Sequence, residues 1–149
     1  DEAVRTGLGT VRLAGRFQVI PGPPEWILDV AHNAEAAASL AASLAARPHA
    51  GRTIAVCGIL ADKDVEAIVA AMAPQVRRWI AVGLEGPRAL RPAELARRIG
   101  QAGAHSVVAV ADVAAGLAQA RVECGPDDRA VVFGSFLAVG PALAALGAD

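Results

Sequence analysis

The stretch Trp26-Ile27-Leu28-Asp29-Val30-Ala31-His32-Asn33, followed by the alanine-rich run Ala34 to Ala46, is where a short apolar strand gives way to a helix. It sets an acid, an imidazole and a carboxamide at the junction, the place where ligands bind in open α/β sheets. Outward from it the same alternation repeats. Short runs rich in β-branched residues lie at Phe17–Ile20, Trp26–Val30, Thr53–Ile59, Trp79–Gly83, Ser106–Val110 and Ala130–Gly134. Between and after them come runs rich in Ala and Leu, at Ala34–Ala46, Val65–Ala73, Pro92–Ala102, Val113–Val122 and Phe136–Leu146. This rhythm is that of βαβ units. Most strand segments are continuously apolar, which suits strands covered on both faces. Asn33, Asp64 and Asp112 stand where N-caps are expected, and Pro92 stands at a first helical position. The connection Pro21-Gly22-Pro23-Pro24-Glu25 is too short for a parallel crossover, so the first two strands pair antiparallel with the first at an edge. The expected fold is α/β: a Rossmann-like three-layer sandwich, with a mostly parallel six-stranded sheet and one antiparallel edge strand.

Composition bounds what such a sheet can do. The 149 residues are 54% hydrophobic, with 14 basic and 15 acidic side chains, which fits one domain with a sizeable core. Basic residues such as Arg47, Arg52, Arg77, Arg78, Arg97 and Arg98 are scattered, and only three Phe and two Trp are available for stacking, so no nucleic-acid partner is expected. Cys57 lies in an apolar strand and Cys124 in a turn, unlike a disulfide scaffold, which implies reduced thiols and a cytoplasmic location. The opening Asp1-Glu2-Ala3-Val4-Arg5 has no apolar leader and reads as a cut within a longer chain. Ala130 to Ala148 carries no charge and approaches a membrane span in length, but Gly134-Ser135 and Gly140-Pro141 interrupt it. A buried strand followed by a packed helix is expected there, and no membrane partner.

Several chemistries find no motif. No Gly-x-Gly-x-x-Gly follows a strand, no Gly-x-x-x-x-Gly-Lys-Ser/Thr occurs, and no Gly-x-Ser-x-Gly elbow is found. His32, His49 and His105 are far apart and neither Cys lies near one, so no metal site is assigned. A complete catalytic apparatus is therefore not expected within this chain, and no residue is assigned a catalytic role.

What remains is the strand-end constellation. The Asp29 carboxylate can accept two hydrogen bonds from a ribose diol, and the His32 imidazole can donate to a phosphate or carboxylate near the helix N-terminus. Equally compatible with the sequence is a structural role, with Asp29 capping a loop and His32 and Asn33 satisfying free helix amides. Arg16, just before the first strand, is either a solvated surface charge or a phosphate clamp.

Five segments, taken in order, resemble one family. Gly15-Arg16-Phe17, Ile27-Leu28-Asp29-Val30-Ala31-His32-Asn33, Cys57-Gly58-Ile59-Leu60-Ala61-Asp62-Lys63-Asp64, Pro87-Arg88-Ala89 and Val132-Phe133-Gly134-Ser135-Phe136 look like the C-terminal domain of the bifunctional folylpolyglutamate synthase/dihydrofolate synthase family, within the Mur ligase superfamily. The resemblance implies residues 16–149 as that domain and 1–15 as an interdomain linker remnant. It implies an ATP-dependent ligase that adds L-glutamate to dihydropteroate or folate through an acyl phosphate, with Mg2+ bridging the nucleotide phosphates. By resemblance, Arg16 meets the ATP phosphates, Asp29 the nucleotide, and His32 and Ser135 the nucleotide or the incoming glutamate. Lys63 either approaches the ligand or is solvated. The P-loop and the metal ligands are expected in an N-terminal domain of the same chain, absent here, so the fragment alone should be inactive; a monomer is expected.

Two departures from the family pattern stand out. Ala34 replaces the usual Pro after His-Asn, a mild change in a helix's first turn. Leu137 and Ala138 replace aromatic and hydroxyl residues after Ser-Phe, which leaves the Ser135 region fewer polar groups. The alternatives are a Mur-type ligase domain acting on cell-wall precursors and a non-catalytic Rossmann-like binding module. A receiver-type phosphorelay domain fits poorly, because the last strand ends in Gly134-Ser135-Phe136 and not in a Lys.

Overall fold

The computed structural model describes residues 15–147. Six strands, β1 (Gln18–Ile20), β2 (Glu25–Asp29), β3 (Thr53–Cys57), β4 (Arg78–Val82), β5 (Val107–Val110) and β6 (Arg129–Phe133), form one sheet in the order β1-β2-β6-β3-β4-β5. Only β1 runs antiparallel, pairing Gln18 with Leu28 and Ile20 with Trp26. The helices are α1 (Ala34–Ala46), α2 (Val65–Met72), α3 (Pro92–Gln101), α4 (Val113–Glu123) and α5 (Phe136–Ala145). Asn33, Asp64 and Asp112 cap α1, α2 and α4 as expected, each side chain accepting a backbone N–H of the first turn. Pro92 begins α3, where its missing N–H costs nothing.

Successive strand residues point to opposite faces, and the continuous apolar runs supply both. Ile27, Cys57, Trp79 and Phe133 pack under α1, α2 and α3. Trp26, Leu28, Val56, Ile80 and Val132 pack under α4 and α5. Trp79 and Phe133 meet edge to face at 6.2 Å, which fixes the core beneath β4 and β6. The stretch from Ala130 onward resolves into buried β6 and the short helix α5, and among the described residues no helix is long and apolar enough to cross a membrane.

Strand β6 sits between β2 and β3, yet its helix α5 lies on the face opposite to the helices that follow both neighbours. The carboxyl end of β6 is thus the topological switch point, where a crevice opens in such sheets. β2, β3, β4 and β6 each end one or two residues earlier than their sequence suggests. The Gly58 N–H donates to the Phe133 carbonyl at 3.2 Å as the last bond of the parallel β3–β6 ladder, and β6 stops at Phe133 because Gly134 turns at φ +116°. A Cβ on Gly134 would lie 2.3 Å from the Gly58 carbonyl oxygen, so the two loops touch backbone to backbone only because residue 134 is glycine.

Candidate functional site

All five segments singled out in the sequence arrive at the carboxyl rim of the sheet. β1 runs against β2, so its leading turn Gly15-Arg16-Phe17 lies beside the end of β2. The segment after β3 forms a bridge from Leu60 to Ala89, and Ala61 donates to the Arg88 carbonyl at 2.8 Å, which ties the third and fourth segments together. Ser135 follows the switch-point glycine.

Asp29, half-buried at the end of β2, is at the centre of one half of this rim. Its Oδ1 accepts the Ala31 N–H at 2.9 Å and its Oδ2 accepts the Phe17 N–H at 3.1 Å. Burial pushes the carboxyl above its ordinary value, against the two amides and the nearby positive charge of Arg16, which pull it down. One carboxylate therefore holds the loop into α1 and the turn that carries Arg16. That turn is unusual: Gly15 has φ +77° and Phe17, a bulky residue, has φ +42°. A non-glycine residue held there costs about 1–3 kcal/mol and persists only when its surroundings impose it. Here they do so through the Asp29 carboxylate, the Val30 N–H on the Gly15 carbonyl at 2.6 Å, and the Gln18 Oε1 that accepts the Gly15 N–H at 3.1 Å.

The remaining candidates divide between structural and open positions. Asn33 is consumed as the cap of α1, its Oδ1 accepting the Ala36 N–H at 2.8 Å. His32 is exposed, with Nδ1 3.2 Å from the Val30 carbonyl oxygen. Arg16 is exposed. Ser135 is buried and caps α5, its Oγ accepting the Leu137 N–H at 3.0 Å, while its own O–H remains able to donate. Lys63 is partly buried between Asp62 and the α2 cap Asp64. Among the described residues no group of three His, Cys, Asp or Glu comes together in metal-binding geometry.

Sequence reasoning missed two features of the rim. Gln18 reads as an ordinary edge-strand residue, and only its spacing of three from a glycine hinted that it could cap the turn. A pocket of about 340 Å³ opens where β4, α4 and α5 meet, lined by Leu84, Val113, Phe136, Leu137 and Pro141. Phe136 is 63% exposed there, although its place in an apolar run reads as core.

The strand order and the glycine switch point define an α/β domain with its candidate site at the carboxyl rim, and the chain belongs to the Mur ligase, glutamate ligase domain family, whose model matches residues 15–136. Within it the relatives are folate enzymes. The chain is 38% identical over 136 residues to the dihydrofolate synthase/folylpolyglutamate synthase of Escherichia coli (strain K12), covering 91% of this chain and 31% of that protein. The solved E. coli FolC in complex with DHPP and ADP superposes with a TM-score of 0.88 at 33% identity, over 99% of this chain and 34% of that one. A bifunctional folylpolyglutamate synthase/dihydrofolate synthase solved with Mn, AMPPNP and L-glutamate bound gives a TM-score of 0.86 at 39% identity, over 99% of this chain and 35% of that one. The chain thus spans about a third of the length of these relatives.

Proposed function

We propose that this chain is the C-terminal domain of an ATP-dependent ligase that adds L-glutamate to dihydropteroate or folate through an acyl phosphate. In this reading residues 16–149 form the domain, 1–15 join it to an N-terminal P-loop domain of the same chain, and the parent works as a cytoplasmic monomer. The observation that carries the proposal is the Phe17–Asp29 link, which ties Arg16 and Asp29, the two residues assigned to the nucleotide, into one unit at the carboxyl rim. The relatives solved with ADP, or with AMPPNP, Mn and L-glutamate, support the same ligands for the parent.

The donor set fits ATP. Asp29 has given each oxygen one backbone N–H and retains lone pairs for ribose hydroxyls. Arg16, exposed on a preset turn, offers a planar cation to the phosphates. His32 at the same loop, and the Ser135 O–H across the rim, are the groups proposed to meet the nucleotide or the carboxylates of glutamate. Mg2+ is assigned to ligands in the P-loop domain. ATP supplies the phosphoryl group that activates the acceptor carboxylate. The chain's own residues bind and orient the nucleotide as the domains close, a proximity effect and not acid/base chemistry. Folate acceptors are favoured over cell-wall precursors because the matched relatives at 33–39% identity are folate enzymes.

The test is glutamate-dependent ADP release by the full-length parent with dihydropteroate as acceptor. The reading expects robust turnover by wild type and a large loss in Asp29→Ala of intact fold. Wild-type protein that is folded yet inactive with every folate acceptor would overturn it.

A further inference from the structure

Arg16 sits between two pinned peptide units. On one side the Asp29 carboxylate accepts the Phe17 N–H; on the other the Gln18 side chain accepts the Gly15 N–H, while the Gly15 carbonyl receives the Val30 N–H. Gln18 is itself anchored, because its backbone pairs with Leu28 in the β1–β2 register. The left-handed conformations of Gly15 and Phe17 leave such a turn no reason to hold its shape without these bonds. A guanidinium carried on a preset turn loses less freedom on meeting its ligand than one on a loose turn.

We propose that Gln18 is a positioning residue for ATP use: through its bond to Gly15 it presets the turn that presents Arg16. The inference rests on the proposed role of Arg16 at the nucleotide. Gln18 touches no reacting atom in this scheme and acts only by way of Arg16.

The experiment is a double-mutant cycle in the full-length enzyme, reading KM for ATP and kcat separately. Gln18→Met keeps the side chain's length without the acceptor and should raise KM for ATP about five-fold with kcat within about two-fold. Gln18→Glu keeps an acceptor and should stay within about two-fold of wild type. In an Arg16→Ala background, Gln18→Met should add less than about two-fold, because the group it positions is gone. A full five-fold effect in that background would overturn the proposal, since Gln18 would then act independently of Arg16. A silent Gln18→Met beside an impaired Arg16→Ala would overturn it as well, leaving the ATP site standing. An Arg16→Ala enzyme with wild-type KM for ATP would instead remove the nucleotide role of Arg16, and this inference with it.

Discussion

At the amino ends of β2, β3, β4 and β6 stand Glu25, Thr53, Arg78 and Arg129; at or just beyond their carboxyl ends stand Asp29, Gly58, Gly83 and Gly134. The charged end is closed upon itself. Arg129, only 1% exposed, donates to the Thr53 hydroxyl at 2.8 Å and to the Leu44 carbonyl at 3.0 Å, capping the C-terminal turn of α1. Around it Arg47 pairs with Glu25, Arg52 with Asp128 and Arg78 with Glu123. The other end has polar groups that bond backbone turns, glycines that let loops approach, and exposed Arg16 and His32. Similar side chains are therefore placed differently: those at the amino end are used up within the fold, whereas under the proposed function those at the carboxyl end hold a shape that is open to a ligand. Changes at the first end should move stability, and changes at the second should move ATP use.

The largest expected effect is an exception that sharpens this contrast. Gly134 belongs to the ligand end, yet what matters there is a missing side chain. Gly134→Ala adds a Cβ 2.3 Å from a backbone oxygen at φ +116° and should cost about 4 kcal/mol of stability in urea unfolding. A cost below about 1 kcal/mol would mean that the switch-point loops have room to part. Next in size is Arg129→Met at the closed end. It leaves the Thr53 hydroxyl and the Leu44 and Arg47 carbonyls without their buried donor, at about 3 kcal/mol, while ATP turnover per folded molecule stays unchanged. Lost turnover at full folding would break the comparison.

Much of this contrast was legible before any coordinates. The alternation of short β-branched runs with Ala- and Leu-rich runs implied βαβ units, and the strand-end acid, imidazole and carboxamide of Asp29, His32 and Asn33 marked the rim where ligands bind in such sheets. Continuous apolar runs implied burial on both faces, and the caps Asn33, Asp64 and Asp112 fixed where helices begin. The insertion of β6 between β2 and β3 was not legible, because sequence order says nothing about which parallel neighbours a strand chooses. Nor was the double duty of Asp29. A carboxylate at a strand end can cap a turn or meet a ligand, and here it closes on Phe17, twelve residues away, through a contact that only the β1–β2 register creates. Gln18 left only the hint of its spacing from Gly15, since its partner is a backbone amide that no residue type advertises.

At the open end, Arg16→Ala should lower kcat/KM for ATP about 30-fold, or about 2 kcal/mol, as expected for a charged hydrogen-bonding group. The exposed side chain should contribute less than about 0.5 kcal/mol to folding. Steady-state kinetics with varied ATP and urea unfolding on the same preparations separate the two quantities. A loss of stability as large as the loss of ATP use would place Arg16 with the structural cations and erase the distinction between the ends.

The subtlest test sets one aspartate at each end against the other. Burial pulls Asp128 upward, but the Gly125 and Arg52 amides and the Arg52 guanidinium hold it down to about 2. With its unfolded value near 3.9, its stabilising contribution is complete above about pH 5 and is lost as pH falls through about 2. Discounted for the exposure of Arg52, it is about 1–2 kcal/mol. At Asp29 burial wins and the value is raised, so the folded state takes up a proton first and wild type gains stability as pH falls through that raised value. Unfolding free energies measured from pH 7 to pH 2.5 should therefore diverge in sign. The advantage of wild type over Asp128→Asn shrinks with acid, and the advantage over Asp29→Asn grows. Two slopes of the same sign would show that the carboxylate at the rim is as thoroughly satisfied as the one at the closed end. Asp29 would then be a structural clamp with nothing left for a ligand.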